Sequence, residues 1–151
     1  MTNFNAEKID RFDDEFKFLS NFYLVNISYE GKIYPSTEHA YQAAKTIFDD
    51  EKDWFCQDIT SGRAKKLGKQ VTMRPDWNKI KIQVMTDLTR IKYKNPQLRD
   101  MLLLTDGFYI EEGNYWGDTF WGVCNGVGDN NLGKILMQVR EEIKQNSIQL
   151  N

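Results

Sequence analysis

The sequence predicts an α+β fold, mostly helical, in a single domain over residues 1–151, and three observations carry that reading. A β-rich run at residues 22–29 is followed by Glu30-Gly31 and a second extended run at 32–34, the pattern of a small hairpin. Trp77, Ile80, Val84, Leu88 and Ile91 recur at the three-and-four spacing of a helix with one face in the core. No Ser/Gly-rich linker, low-complexity stretch or repeat interrupts the chain, and 151 residues suffice to bury one core without disulfides.

Taken in order, the hairpin is expected to stop at Pro35, which has no N–H to give to a ladder. A helix over about 36–48 follows, with Ser36 or Thr37 as its cap and Ala40, Ala43, Ala44 and Ile47 as its packing face. A short helix is predicted at 51–58 and a short basic one at 61–68, opening at Ser61. Asp76 is placed to cap the long helix of the Trp77 repeat. Asn95-Pro96 restarts a helix through Leu104, because proline suits the first helical position. Residues 108–111 read as a strand, and the last helix begins at Leu132 behind Asp129 or Asn130. Between them, 113–128 is dense in Gly, Asn, Asp and Trp, a composition for loops that approach a ligand closely.

Composition removes several function classes. Twenty basic against 22 acidic residues give a net charge of −2, which argues against nucleic-acid binding by bulk electrostatics while leaving room for a local basic mouth. No apolar run approaches membrane-spanning length, so no membrane partner is expected. The first eight residues lack the apolar core of a secretory signal, and Cys56 and Cys124 show no disulfide framework; both point to a cytoplasmic protein with reduced thiols. One histidine and two isolated cysteines make a metal site improbable, and no cofactor is expected.

The most informative stretch runs from Pro35 to Lys45. On a helix Glu38, Gln42 and Lys45 stand at i, i+4 and i+7 and share one face, which aligns a carboxylate, an amide and an amine. That row reads equally as a rigid mount for chemistry or as a solvated, ion-paired face. His39 points about 100° away from it, the position of a satisfied core imidazole rather than a catalyst.

Four separated motifs then agree in order: Phe18-Leu19-Ser20-Asn21-Phe22, the Ser36 to Lys45 stretch, Asp118-Thr119-Phe120-Trp121-Gly122, and Asn130-Asn131-Leu132-Gly133-Lys134-Ile135-Leu136-Met137. Together they resemble the YbiA-like, or NADAR, family over about residues 16–140. The resemblance implies that family's fold and an N-glycosidase. Its expected substrates are small ribosylamino-pyrimidine phosphates of riboflavin biosynthesis or ADP-ribosylated guanine, with nucleic acid entering only as such a modified substrate; a non-catalytic module for ADP-ribose or NAD is the alternative from another class. In both substrate classes an exocyclic nitrogen joins C1′ of a phosphorylated ribose, and its lone pair can open the furanose to an imine. A neutral lysine can attack that carbon and hold the sugar as a Schiff base.

On that resemblance Lys45 is the expected nucleophile, Glu38 the acid/base, and Asp118 a second carboxylate opposing cationic character. Ser20, Asn21, Gln42, Arg63, Trp121, Gly122 and Asn130 are expected to contact substrate. Several have structural alternatives: Ser20 and Asn21 as a turn cap, Trp121 and Trp116 as core packing, Asn130 as a helix cap, and Arg63 with Lys65 and Lys66 as a solvated basic face. Val123 and Cys124 stand where many relatives have further glycine, and Glu111-Glu112 precede this loop as an acidic pair.

Overall fold

The computed structural model describes the backbone of residues 7–150 and the side chains of 7–148, so most of the amino-terminal segment read above for a signal lies outside the described residues. The elements are β1 (Lys8–Ile9), β2 (Leu24–Tyr29), β3 (Lys32–Ser36), α1 (Thr37–Ala43), α2 (Asp49–Asp53), α3 (Ser61–Leu67), α4 (Trp77–Lys92), α5 (Pro96–Leu103), β4 (Tyr109–Ile110), β5 (Gly113–Asn114), β6 (Val123–Cys124) and α6 (Asn131–Leu150). Single 3₁₀ turns occupy Asp14–Leu19 and Trp54–Cys56. The fold is α+β and mostly helical, as the sequence predicts. Its contacts divide the chain into two units, residues 21–94 and residues 1–20 with 95–151.

In the first of these, β2 and β3 form an antiparallel hairpin around Glu30-Gly31. Pro35 does not end β3, which runs one residue further to Ser36. The register explains the tolerance: Ile27 pairs with Tyr34 and Leu24 with Ser36, so β2 carries an extra residue opposite Pro35, and a bulge needs no donor there. Ser36 then caps α1, its Oγ accepting from the His39 N–H at 3.2 Å. Ala40, Ala43 and Ala44 are buried as expected, whereas Ile47 is 60% exposed. The reason is that α1 ends at Ala43 instead of continuing to 48. Lys45 and Thr46 already donate three residues back, to the Gln42 and Ala43 carbonyls, and Thr46 Oγ1 accepts from the Phe48 N–H.

Further along, the predicted helix at 51–58 is α2 followed by the 3₁₀ turn. α3 opens at Ser61 as expected, with Thr60 as its cap, the Thr60 side chain accepting from the Arg63 N–H, while the Ser61 hydroxyl donates to the Phe22 carbonyl at 2.8 Å. Asp76 does not cap α4 through its side chain, because Arg74 holds that carboxylate at 2.7 and 3.2 Å. From α4, Trp77, Val84, Met85 and Leu88 enter the core with Ile27, Tyr34 and Phe55.

In the second unit β1 pairs in parallel with β4, and β5 with β6. Asn95 caps α5 by accepting from Gln97 and Leu98, and Leu104 falls just past its end, 82% exposed. Leu132, Ile135, Leu136 and Val139 of α6 are buried, and Arg140 donates to the Thr105 carbonyl at 2.8 Å.

Candidate functional site

The site is best built from α1 outward. Its amino-terminal amide Glu38 N–H donates to the Asn21 carbonyl at 3.0 Å, so Asn21 serves the helix through its backbone, and its side-chain amide lies 3.5 Å from Met85 Sδ. Glu38 is 7% and Gln42 4% exposed. Gln42 Nε2 donates to Glu38 Oε2 at 2.6 Å, as i and i+4 neighbours on one face can. The other atom of that amide, Gln42 Oε1, is buried with no hydrogen-bond partner. It lies against Gly68, where a Cβ would come within 1.9 Å of it. Gly68 has an ordinary helical φ of −60°, so glycine is required there by close approach and not by backbone conformation.

Lys45 completes the row. Although α1 has ended, the 3₁₀ turn keeps Lys45 near the polar face, with Nζ 5.8 Å from the centre of the Tyr41 ring. The Tyr41 ring in turn packs on Trp77 at 5.1 Å. Burial holds the Lys45 ammonium below its ordinary range; the Glu38 charge pulls the other way, and Lys81, Lys69 and Lys65 add to the downward push. Burial thus shifts this amine toward its neutral form, while the neighbouring carboxylate favours the charged one.

His39 behaves as the sequence suggests. It is fully buried, with Nε2 2.7 Å from the Ile59 carbonyl and Nδ1 2.6 Å from Ser36 Oγ. The carbonyl can only accept, so Nε2 carries the proton and Nδ1 takes the Ser36 hydroxyl. Burial keeps this imidazole below its usual range, against the opposing effect of the Ile59 bond.

The structure does not bring Arg63 to this row. Ala64 of α3 and its C-cap Gly68 are buried, and Arg63 lies about 100° to one side of Ala64 while Lys65 lies to the other. Arg63 lines a separate groove of about 320 Å³ with Trp54, Gln57, Ile59, Leu67 and Gln70.

The remaining predicted residues belong to the other unit, and most are engaged in building it. Ser20 ends the first 3₁₀ turn by donating to the Lys17 carbonyl. Asp118 Oδ1 accepts from the N–H groups of Phe120 at 3.1 Å and Trp121 at 2.9 Å, and its own backbone is clasped by the Asn114 side chain. Half-buried Trp121 meets Phe120 edge to face at 4.8 Å. Gly122 is buried against the Glu112 carbonyl, where a Cβ would come within 2.2 Å. Asn130 sits in the left-handed region at φ 54°; its Oδ1 accepts from the Glu112 N–H, and its Nδ2 donates to the Ile110 carbonyl.

Four residues that matter to the Glu38 row escape a linear reading. Gly68, Trp77, Lys69 and Lys81 reach it only through the packing of α3 and α4 on α1. A second desolvated amine, Lys92, lies buried between the Tyr23 and Tyr93 rings at 5.7 and 5.2 Å, and burial lowers its pKa to about 7.

Known proteins supply the family. The NADAR domain model matches residues 6–144. The chain belongs to the NADAR family. It is 31% identical over 137 residues to the N-glycosidase YbiA of Escherichia coli, covering 86% of this chain and 83% of that protein. It is 36% identical over 134 residues to an N-glycosidase of Nostoc punctiforme, covering 83% and 84%. A riboflavin biosynthesis protein of Vibrio vulnificus is 38% identical over 141 residues, 89% of this chain but only 38% of that protein's length. The NMR structure of Escherichia coli YbiA superposes with a TM-score of 0.85 at 28% identity, covering 97% of this chain and 90% of that one. This NADAR chain therefore has the YbiA fold. Among its described residues no helix is long and apolar enough to cross a membrane.

Proposed function

We propose that this NADAR protein is an N-glycosidase that hydrolyses the C–N bond between a base amine and ribose 5-phosphate in ribosylamino-pyrimidine intermediates of riboflavin synthesis. Support comes from the N-glycosidases it resembles over most of their length and from the riboflavin biosynthesis protein it resembles in part. The observation that carries the chemistry is the half-buried Lys45 amine, held below its ordinary pKa beside Glu38.

The proposed sequence follows from those two side chains. The exocyclic nitrogen pushes its lone pair toward C1′, the C1′–O4′ bond breaks, and an iminium forms at C1′. Neutral Lys45 Nζ adds to that carbon, and the proton the new ammonium sheds passes to O4′, which left with the bonding pair. Glu38 gives a proton to the base nitrogen, whose bond to C1′ breaks, and the base leaves as a neutral amine with the sugar held on Lys45. Glu38, now a carboxylate, takes a proton from water as it adds to C1′, and collapse of that adduct returns the lysine and releases ribose 5-phosphate. One water enters for each base released. Gln42 fixes the orientation of Glu38 through the 2.6 Å bond.

A side-by-side turnover assay, reading released base from the pyrimidine ribosylamine phosphate and from ADP-ribosylated guanosine, tests the assignment. Faster release from the pyrimidine substrate supports it. Preference for the guanosine moves the same chemistry to ADP-ribosyl-guanine, and binding of ADP-ribose without release of base from either makes the protein a binding module.

A further inference from the structure

We infer that Glu51 is a positioning residue: its carboxylate clasps the two segments that hold the Lys45 backbone and so fixes the point from which the amine reaches the substrate. The inference rests on the proposed function for the role of Lys45, whereas the clasp is drawn from the geometry alone. Lys45 lies beyond the end of α1, so a regular helix no longer sets its place. Two backbone bonds do. Its N–H donates to the Gln42 carbonyl at 3.2 Å, and its carbonyl accepts from the Arg74 N–H at 2.7 Å. Arg74 belongs to the irregular segment between α3 and α4, and backbone without a ladder keeps its position only where other bonds tie it down.

Glu51 ties both sides of that contact. From α2, its Oε1 accepts from the Thr46 hydroxyl at 2.5 Å and from the Thr72 N–H at 2.9 Å, and its Oε2 accepts from the Thr72 hydroxyl at 2.8 Å. Thr46 is the residue after Lys45, and Thr72 stands two before Arg74. One carboxylate therefore bridges the neighbours of both partners in the Lys45–Arg74 bond. Thr46 is completely buried, and its hydroxyl also accepts from the Phe48 N–H at 3.1 Å. Without Glu51 that hydroxyl would have no acceptor for its proton, and water reaches it only if the turn opens. The three donors favour the ionised acid and hold Glu51 below the usual carboxylate range. Lys52, the next residue of α2, reaches the Ala43 carbonyl at 3.5 Å, so two successive side chains of α2 hold the end of α1.

The test reads the Lys45 amine as well as turnover. Trace acetylation with acetic anhydride across pH, followed by peptide mass spectrometry, gives the titration of Lys45 in the wild type, Glu51→Ala, Thr46→Val and Thr46→Ser. Burial is the main cause of the low Lys45 pKa, so a loosened turn that admits water moves the titration up toward an ordinary lysine. Removing the Glu51 charge acts the other way, because a negative neighbour favours the ammonium. The sign of the shift thus separates positioning from electrostatics, with Glu38, Lys81, Lys69 and Lys65 still acting on the amine in every variant. Glu51→Ala and Thr46→Val should both move the titration up and lower kcat about tenfold or more, with KM changed less than about twofold and the far-UV spectrum preserved. Thr46→Ser keeps the hydroxyl and should stay close to wild type. A titration unmoved or lowered in Thr46→Val, or an equal loss of kcat in Thr46→Ser, overturns the clasp. That result leaves an N-glycosidase standing if base is still released, whereas an upward shift in a protein that releases no base keeps the clasp and refutes the reaction.

Discussion

Helix α1 and the segment from Asn114 to Asn131 are both crowded with polar side chains, yet they use them differently. In the loop segment the side chains serve the backbone: Asp118 Oδ1 takes two amides, Asn114 clasps residue 118, Asn130 bridges Glu112 and Ile110, and Asn131 donates to the Phe120 carbonyl. In α1 they serve one another. Glu38 receives a side-chain amide, Gln42 Oε1 has no hydrogen-bond partner, and Lys45 is desolvated beside them. Irregular backbone at 114–131 needs local acceptors, because its N–H groups have no regular ladder. A helix satisfies its own backbone and frees its side chains for chemistry.

The sharpest way to break that contrast is at the reacting groups. Lys45→Arg should abolish turnover, a loss on the order of a thousandfold or more, because a guanidinium keeps the charge but cannot become a nucleophile. Glu38→Gln should cost about a hundredfold or more by removing acid/base capacity while keeping shape. Both are read as kcat/KM with Tm as a check on folding. The pH profile follows from the same amine. Lys45 must be neutral while Glu38 still holds a proton, so kcat/KM passes through a maximum with pH, and the limb set by Lys45 lies at a lower pH than an ordinary lysine would give. A profile with one limb and no maximum contradicts the assignment.

Gly68→Ala tests the support of the row without touching either reacting group. Its φ of −60° accommodates alanine, but the new Cβ would displace the Gln42 amide and with it the bond to Glu38. The expected result is a ten- to about a hundredfold fall in kcat with little change in KM or in the far-UV spectrum. An unchanged kcat would show that Gln42 does not orient Glu38.

Smaller effects should mark the loop. Asp118→Ala removes an acceptor for two amides and should cost about 1–2 kcal/mol, read as a lower midpoint in urea, whereas Asp118→Asn keeps an oxygen there and should hold the midpoint. Turnover of Asp118→Asn sharpens the comparison: a large loss at unchanged stability would give Asp118 the second-carboxylate role the sequence suggests.

Much of this was legible from the chain alone because periodicity and caps are local. The hairpin, the Trp77 helix and the Glu38-Gln42-Lys45 row all follow from spacing, and Asn95-Pro96 marks its helix start without ambiguity. What escaped depends on tertiary choice. The end of α1 at Ala43 reflects the Thr46 side chain taking over backbone bonding, and Asp76 loses its capping role to Arg74 two residues away. Arg63 and Lys65 look alike as basic residues of one short helix, and only the burial of Ala64 between them sends them to opposite flanks. Gly68 gave no signal at all, since its requirement is the proximity of Gln42 from another helix.

The central claim is that Lys45 carries the sugar. Borohydride added during turnover of a ribosylamine phosphate should reduce the iminium to a stable secondary amine, and peptide mass spectrometry should find one ribose phosphate on the peptide containing Lys45, with none in Lys45→Arg. The other low-pKa amine, Lys92, provides the contrast, because it lies buried between two tyrosine rings. An unmodified Lys45 under active turnover, or an adduct on Lys92 instead, would contradict the account.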